Sequence, residues 1–135
     1  MCGIAGFITA GDCNSFGNQE RLLASMSNTI THRGPDDDGS WSDLEKGVWL
    51  GHRRLAIVDL SSAGHQPMKS ASGRYLIVFN GEIYNHLPLR QEMEAAGEVQ
   101  TWYGHSDTET LLVGFDVWGI QGTVERAVGM FAFAV

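Results

Sequence analysis

Strand-like and helix-like segments alternate along this chain of 135 residues, and three observations predict an α+β domain. Short apolar runs of buried-strand length stand at Cys2–Ile8, Tyr75–Phe79 and Gly129–Val135. Apolar residues recur at helical spacing in Leu22, Leu23, Met26 and Ile30, and again in Leu111, Leu112, Phe115 and Trp118. With 43% hydrophobic residues, the chain is long enough for one cored domain and short for two.

Composition narrows the function. A net charge of −7 argues against nucleic acid or an anionic membrane as partner. No apolar run approaches the ~18 residues of a membrane span, and the N-terminus lacks the basic-then-apolar order of a signal peptide. A cytoplasmic location is the expectation. Two cysteines, Cys2 and Cys13, are too few for a disulfide framework, although one Cys2–Cys13 bridge stays open. The five histidines show no metal-ligand spacing, which argues against a metal site. The last apolar run stops without a polar tail, and an exposed strand edge invites aggregation. The chain is therefore expected to be the front part of a longer protein.

The elements follow in order. Cys2 opens the first strand, and removal of Met1 would give it a free α-amine of pKa roughly 7.7–8.0 beside its thiol. That pairs a nucleophile with a base in one residue; the plainer reading is a small residue near a terminus. Residues 11–17 read as a polar loop, and a helix is expected from about Gln19 to Thr31. Pro35 and two glycines make 32–39 a loop, in which Asp36, Asp37 and Asp38 lack the spacing of a calcium site. His32 and Arg33 read as anchors that hold this loop near the site. Val48 and Leu50, then Leu55, Ile57 and Val58, give two strand-like runs around His52, Arg53 and Arg54. One arginine could serve as a planar fork for a carboxylate, against the plainer reading of a surface ion pair. Asp59, Ser61 and His65 lie in the following loop without a serine-hydrolase elbow.

Tyr75–Phe79 runs into Asn80-Gly81-Glu82, where an Asn amide beside a Gly N–H offers two donors for an oxyanion. The same dipeptide equally suits a hairpin turn. A helix is expected from Pro88 to about Ala96, closed by Gly97. Ser106-Asp107-Thr108-Glu109 has the capping-box pattern and opens a helix that Gly119 ends, with Asp107 in its first turn. A further short helix is expected at 123–128.

Together, the N-terminal Met-Cys-Gly-Ile-Ala-Gly-Phe, His32–Asp36, Leu50–Asp59, His65–Met68, Asn80–Asn85, Ser106–Glu109 and Gly129–Ala134 resemble, in order, the glutaminase domain of class II glutamine amidotransferases, above all glutamine-dependent asparagine synthetases. The resemblance covers nearly the whole chain. It implies the N-terminal nucleophile hydrolase fold, a four-layer αββα sandwich of antiparallel sheets, with residues 2–135 as a glutaminase domain incomplete at its C-terminus and without a synthetase domain.

What the resemblance implies for single residues is specific. Cys2 is the nucleophile, its α-amine the base, and Asn80 with the Gly81 N–H the oxyanion hole. Arg54 takes the α-carboxylate of L-glutamine, Glu82 and Asp107 its ammonium, and the backbone around Ile57 and Val58 lines the pocket. Glutamate and ammonia are the products, the ammonia being used for asparagine synthesis or a related amidation. No cofactor is implied in this domain; ATP and Mg belong to the synthetase domain, which is also the implied partner, together with a homodimer of the full-length protein. The acceptor stays open between aspartate and another acid, such as a polysaccharide sugar. Two other readings stay open: a stand-alone amidase for a different amide, and a non-catalytic regulatory or assembly module.

Overall fold

The computed structural model describes residues 1–9, 16–99 and 101–135. Cys13 and most of the 11–17 loop lie outside the described residues, and with them the Cys2–Cys13 bridge.

Two antiparallel sheets form the frame. The first has the order β1 (Gly3–Ile8), β3 (Val48–Arg54), β2 (Asp37–Asp43), with Gly3 opposite Arg53 and Asp37 opposite Arg54. The second has the order β4 (Met68–Lys69), β5 (Leu76–Ile83), β6 (Gly129–Ala134). Helix α1 (Phe16–Thr29) packs on β1 and β3, while α2 (His86–Ala95) packs on α3 (Asp107–Arg126) and α3 on β5. The sheets meet through contacts of β1 and β3 with β5. Apolar residues of β5 alternate as a strand requires, so Ile77, Phe79 and Ile83 join Leu89, Met93, Leu111, Leu112 and Phe115 in the core.

Several boundaries differ from the sequence expectation, each for a physical reason. Helix α1 ends at Thr29 and gives way to a 3₁₀ turn at Thr31–Arg33. In α1 Leu23 is buried, with Met26 and Ile30 half-buried, while Leu22 is exposed, because a 3.6-residue period places Leu22 about 100° off that stripe. Strand β2 begins inside the expected 32–39 loop; its polar sequence carries little β-propensity, and pairing with β3 alone leaves it an edge that needs no apolar run. His52, Arg53 and Arg54 do not separate two strands but complete β3, and Leu55–Val58 is not strand. Asn80-Gly81 makes no hairpin turn, since β5 continues to Ile83 and pairs with β6 from Val78 to Ile83. Helix α2 starts at His86, before Pro88, and stops before Gly97, whose φ of 77° suits glycine. Gly119, at φ 75°, breaks the helical path of α3, which resumes and reaches Arg126.

Two buried polar contacts hold these layers together. His52 on β3 is fully buried, and its Nε2 lies 2.9 Å from the Phe79 carbonyl on β5. Burial pushes its pKa down, so the neutral ring donates Nε2–H to that carbonyl. Arg90 of α2 is buried as well: Nε donates to Thr110 Oγ1 (2.8 Å), Nη1 to Gly104 O (2.9 Å), and Nη2 to Ser106 O (2.7 Å) and Glu109 Oε2 (3.2 Å). Its guanidinium lies 4.0 Å from the centre of the Trp102 ring.

His52→Leu leaves the Phe79 carbonyl without its donor and lowers stability by about 1–3 kcal/mol near pH 7.5 in urea denaturation. Because the folded-state pKa lies below the ordinary 6.5, the unfolded chain binds the proton more tightly. Wild type therefore loses stability as pH falls through that value, and the gap to His52→Leu narrows. Arg90→Met strands the Glu109 carboxylate in the interior and costs about 3–5 kcal/mol. The same denaturation curves check it, with Trp102 fluorescence of the folded state changing alongside.

Candidate active site

Cys2 stands immediately before β1, and the register of β1 against β3 brings it beside the residue that follows β3. The Leu55 N–H points at Cys2 Sγ across 3.4 Å, and the Leu55 carbonyl lies 3.7 Å from the same sulfur. The thiol is half-buried at one wall of a cavity of about 120 Å³. Met1, at the mouth, is exposed, and its carbonyl accepts a bond from Arg33 Nε.

That cavity gathers residues from four distant stretches of chain. Arg54 lines it at the end of β3, Ile57 and Val58 just beyond, Gly81 and Glu82 on β5, and Asp107 at the start of α3, with Cys2 at the N-terminus. Ile57 and Val58 have exposed side chains. Asn80 is not among the lining residues; it sits half-buried between Phe79 and Gly81, and its Oδ1 is buried without a partner among the described residues. A buried polar atom left unpaired is costly, and a bound ligand or water relieves it.

Arg54 is 8% exposed and held by backbone carbonyls: Nη1 donates to Ser61 O at 2.8 Å and Nη2 to Asp59 O. Two of its five N–H groups are engaged in this way, which leaves others for a ligand. Gly64 packs flat against the guanidinium, and a Cβ there would overlap Nη2. No carboxylate side chain pairs with Arg54 among the described residues, unlike Arg53, which pairs with Asp38 at 3.3 Å.

Asp107 lies on the helical N-terminal turn that Ser106 caps, its Oγ accepting from Glu109 N. The Asp107 carboxylate accepts from Ile83 N (2.9 Å) and Thr108 N (2.9 Å), which ties the end of β5 to the start of α3. Burial nevertheless pushes its pKa above the ordinary carboxylate value, the behaviour of an acid short of a cationic partner. Glu109 does not return the capping-box bond to Ser106. Its carboxylate instead accepts from Tyr103 N and Gly104 N, shaping the loop that leads into the helix.

Further residues at the site were not singled out by sequence reasoning. Gln66 lines the cavity, accepts from Phe79 N at 2.6 Å and donates to Thr108 Oγ1 at 3.3 Å. Asp36 Oδ2 accepts from Ala56 N and so fixes the segment after Arg54. Arg90 carries a readable signal, since it shares the apolar face of α2 with Leu89 and Met93, where a surface arginine has no place. Asp59 has burial against it, but bonds from the Ser61 hydroxyl, His105 N and Ser61 N, with Arg54 nearby, hold its pKa at about 2. Ser61 bonds to Asp59, and His65 to Asp37, so no serine–histidine pair forms. Asp36, Asp37 and Asp38 disperse to Ala56, His65 and Arg53, and no cluster of three metal-ligating side chains occurs among the described residues. Among the described residues no helix is long and apolar enough to cross a membrane.

The chain is similar to known proteins along its whole length. A family model for a glutamine amidotransferase domain matches residues 1–135. Asparagine synthetase [glutamine-hydrolyzing] 1 of Bacillus subtilis is 40% identical over the full chain, which spans 20% of that protein. A putative glutamine-hydrolyzing asparagine synthetase of Mycobacterium tuberculosis is 39% identical, the full chain spanning 22% of it. Amidase chry2 of Gibberella zeae is 34% identical, with the full chain spanning 21% of it. This chain thus spans about a fifth of the length of these curated relatives. The chain belongs to the glutamine amidotransferase domain family.

Proposed function

We propose that this domain hydrolyses the side-chain amide of L-glutamine through Cys2, releasing glutamate and ammonia. The observation that carries the reading is the one cavity lined by Cys2, Arg54, Gly81, Glu82 and Asp107. One cation and two carboxylates match a zwitterionic amino-acid end, and the thiol is left to the amide.

The chemistry starts with loss of Met1, which frees the α-amine of Cys2. The amine takes the thiol proton, directly or through a water, and the sulfur attacks the amide carbon. The oxyanion so formed is met by the Asn80 amide and the Gly81 N–H. Collapse breaks the C–N bond, the leaving nitrogen takes the proton from the ammonium, and ammonia departs from a γ-glutamyl thioester. Water, deprotonated by the same amine, cleaves the thioester to glutamate and restores the thiol. The engaged Arg54 supports the carboxylate role, because a guanidinium fixed on two sides presents its remaining donors in one orientation. The layering of α1 on the first sheet and of α2 and α3 by the second supports the N-terminal nucleophile hydrolase sandwich.

The relatives extend the proposal beyond this chain. Their names and greater length support a synthetase domain beyond this chain that uses the ammonia to make asparagine; ATP and Mg are proposed to act only in that domain. The amidase from Gibberella zeae favours keeping a different acceptor open.

Intact-mass analysis after treatment with a glutamine-analogue diazoketone tests the nucleophile. The expected result is loss of Met1 and one adduct on Cys2, blocked by excess glutamine; an adduct elsewhere, or one that glutamine does not block, sinks the assignment. Arg54→Ala raises the KM for glutamine by about tenfold or more. Its effect on turnover of a small generic amide is much smaller, and equal losses for both substrates would count against carboxylate binding.

A further inference from the structure

Resting on the glutaminase reading, the inference concerns what sets the distance between the cationic and anionic ends of the substrate site. Arg54 and Asp107 belong to different segments, one ending β3 and one opening α3. Neither side chain hydrogen-bonds to the other's segment. Asp59 bonds to both.

On the Arg54 side, both carbonyls that hold the guanidinium depend on Asp59. One is its own carbonyl, and the other belongs to Ser61. Ser61 is in turn fixed by Asp59 Oδ1, which accepts from Ser61 N at 2.8 Å and from Ser61 Oγ at 2.6 Å. On the Asp107 side, Asp59 Oδ2 accepts from His105 N at 2.7 Å. His105 immediately precedes the N-cap Ser106 and stands two residues before Asp107. The packing leaves little slack: Asp59 is 6% exposed, and a Cβ on Gly104 would come within 2.6 Å of Oδ2.

We infer that Asp59 is a positioning residue whose carboxylate locks the Arg54 loop to the start of α3 and thereby fixes the spacing with which the site grips the amino-acid end of glutamine. Asp59 borders the same cavity, but both of its carboxylate oxygens are engaged by Ser61 and His105, and the positioning role needs no contact with substrate. A carboxylate suits the task because it accepts on both oxygens, and charge-assisted bonds to N–H and O–H donors are short and stiff. An asparagine of the same shape accepts on one end only and confronts either Ser61 or His105 with a second donor.

The test uses the purified protein with Asp59→Asn and two thiol reagents, the glutamine-analogue diazoketone, which carries an amino-acid end, and iodoacetamide, which does not. The expected result is an approximately tenfold or greater fall in Cys2 alkylation by the diazoketone, with iodoacetamide changed by less than about twofold. In steady state, the KM for glutamine rises by a similar factor while kcat falls by less than about threefold. Ser61→Ala, which removes the hydroxyl's bond to Asp59 and the one it accepts from Ala63 N but keeps the backbone bond to Asp59, shifts the same ratio in the same direction by a smaller factor. It also decides the matter if Asp59→Asn does not fold. Equal losses with both reagents, a fall in kcat at unchanged KM, or no change in either variant overturns the positioning role. Wild-type protein that reacts with iodoacetamide but not with the diazoketone overturns the glutaminase reading, and this inference with it.

Discussion

The structure depends on the contact of two sheets through β1, β3 and β5, because the cavity lies where their strand ends converge. Strand β1 delivers Cys2, β3 delivers Arg54, and β5 delivers Gly81 and Glu82. Sliding one sheet against the other would separate the thiol from the residues around it. Apolar packing alone resists sliding weakly, since it has no direction. The bond from the buried His52 ring to the Phe79 carbonyl supplies direction, as it joins the central strand of one sheet to the central strand of the other. A second device, the Gln66 amide, bridges Phe79 N to Thr108 and carries the register of β5 on to α3.

The start of α3 solves a different problem. Asp107 must bring a carboxylate to a cavity wall, yet a carboxylate removed from water is unstable unless donors meet it. Helix geometry supplies unpaired N–H groups in the first turn, and the Ile83 N–H of β5 adds another. They do not fully compensate, and the raised pKa of Asp107 records the shortfall. Asp59 shows the contrast: three donors meet its two oxygens, and its pKa is depressed. One carboxylate is satisfied by the protein, which suits a structural tie. The other retains an unmet demand for positive charge, which suits a group that takes up a ligand ammonium.

How much of this was legible in the sequence depended on whether the signal was local. Strands at Cys2–Ile8 and Tyr75–Phe79, the Ser106 cap and the breaks at Gly97 and Gly119 follow from neighbouring residues and appear nearly where expected. Strand β2 was not legible, because its Asp, Gly and Ser residues are held by pairing with β3 rather than by any preference of their own. Candidate site residues Cys2, Arg54, Ile57, Val58, Gly81, Glu82 and Asp107 are found around one cavity, although the spacing of each left a plainer role open. Gln66 escaped, and Asp59 was noticed only as a loop acid, because their roles lie in partners 13 and 46 residues away. Such partners exist only once the chain has folded.

The residues around the cavity are held largely through backbone groups. Arg54 is gripped by carbonyls, Asp107 by N–H groups, and Cys2 faces the N–H of Leu55. Backbone groups cannot change rotamer, so a site built on them loses little side-chain freedom when a ligand arrives. The cost is that each backbone segment must itself be immobilised. That is the task of neighbouring polar side chains: the exposed Asp36 fixes Ala56, Asp59 at the cavity's edge fixes Ser61 and His105, and the buried Glu109 with Arg90 fixes the 103–106 loop. On the proposed reading, the grip on an amino-acid end depends in part on residues whose task is to hold backbone, and substitutions among them should act on recognition before they act on the thiol.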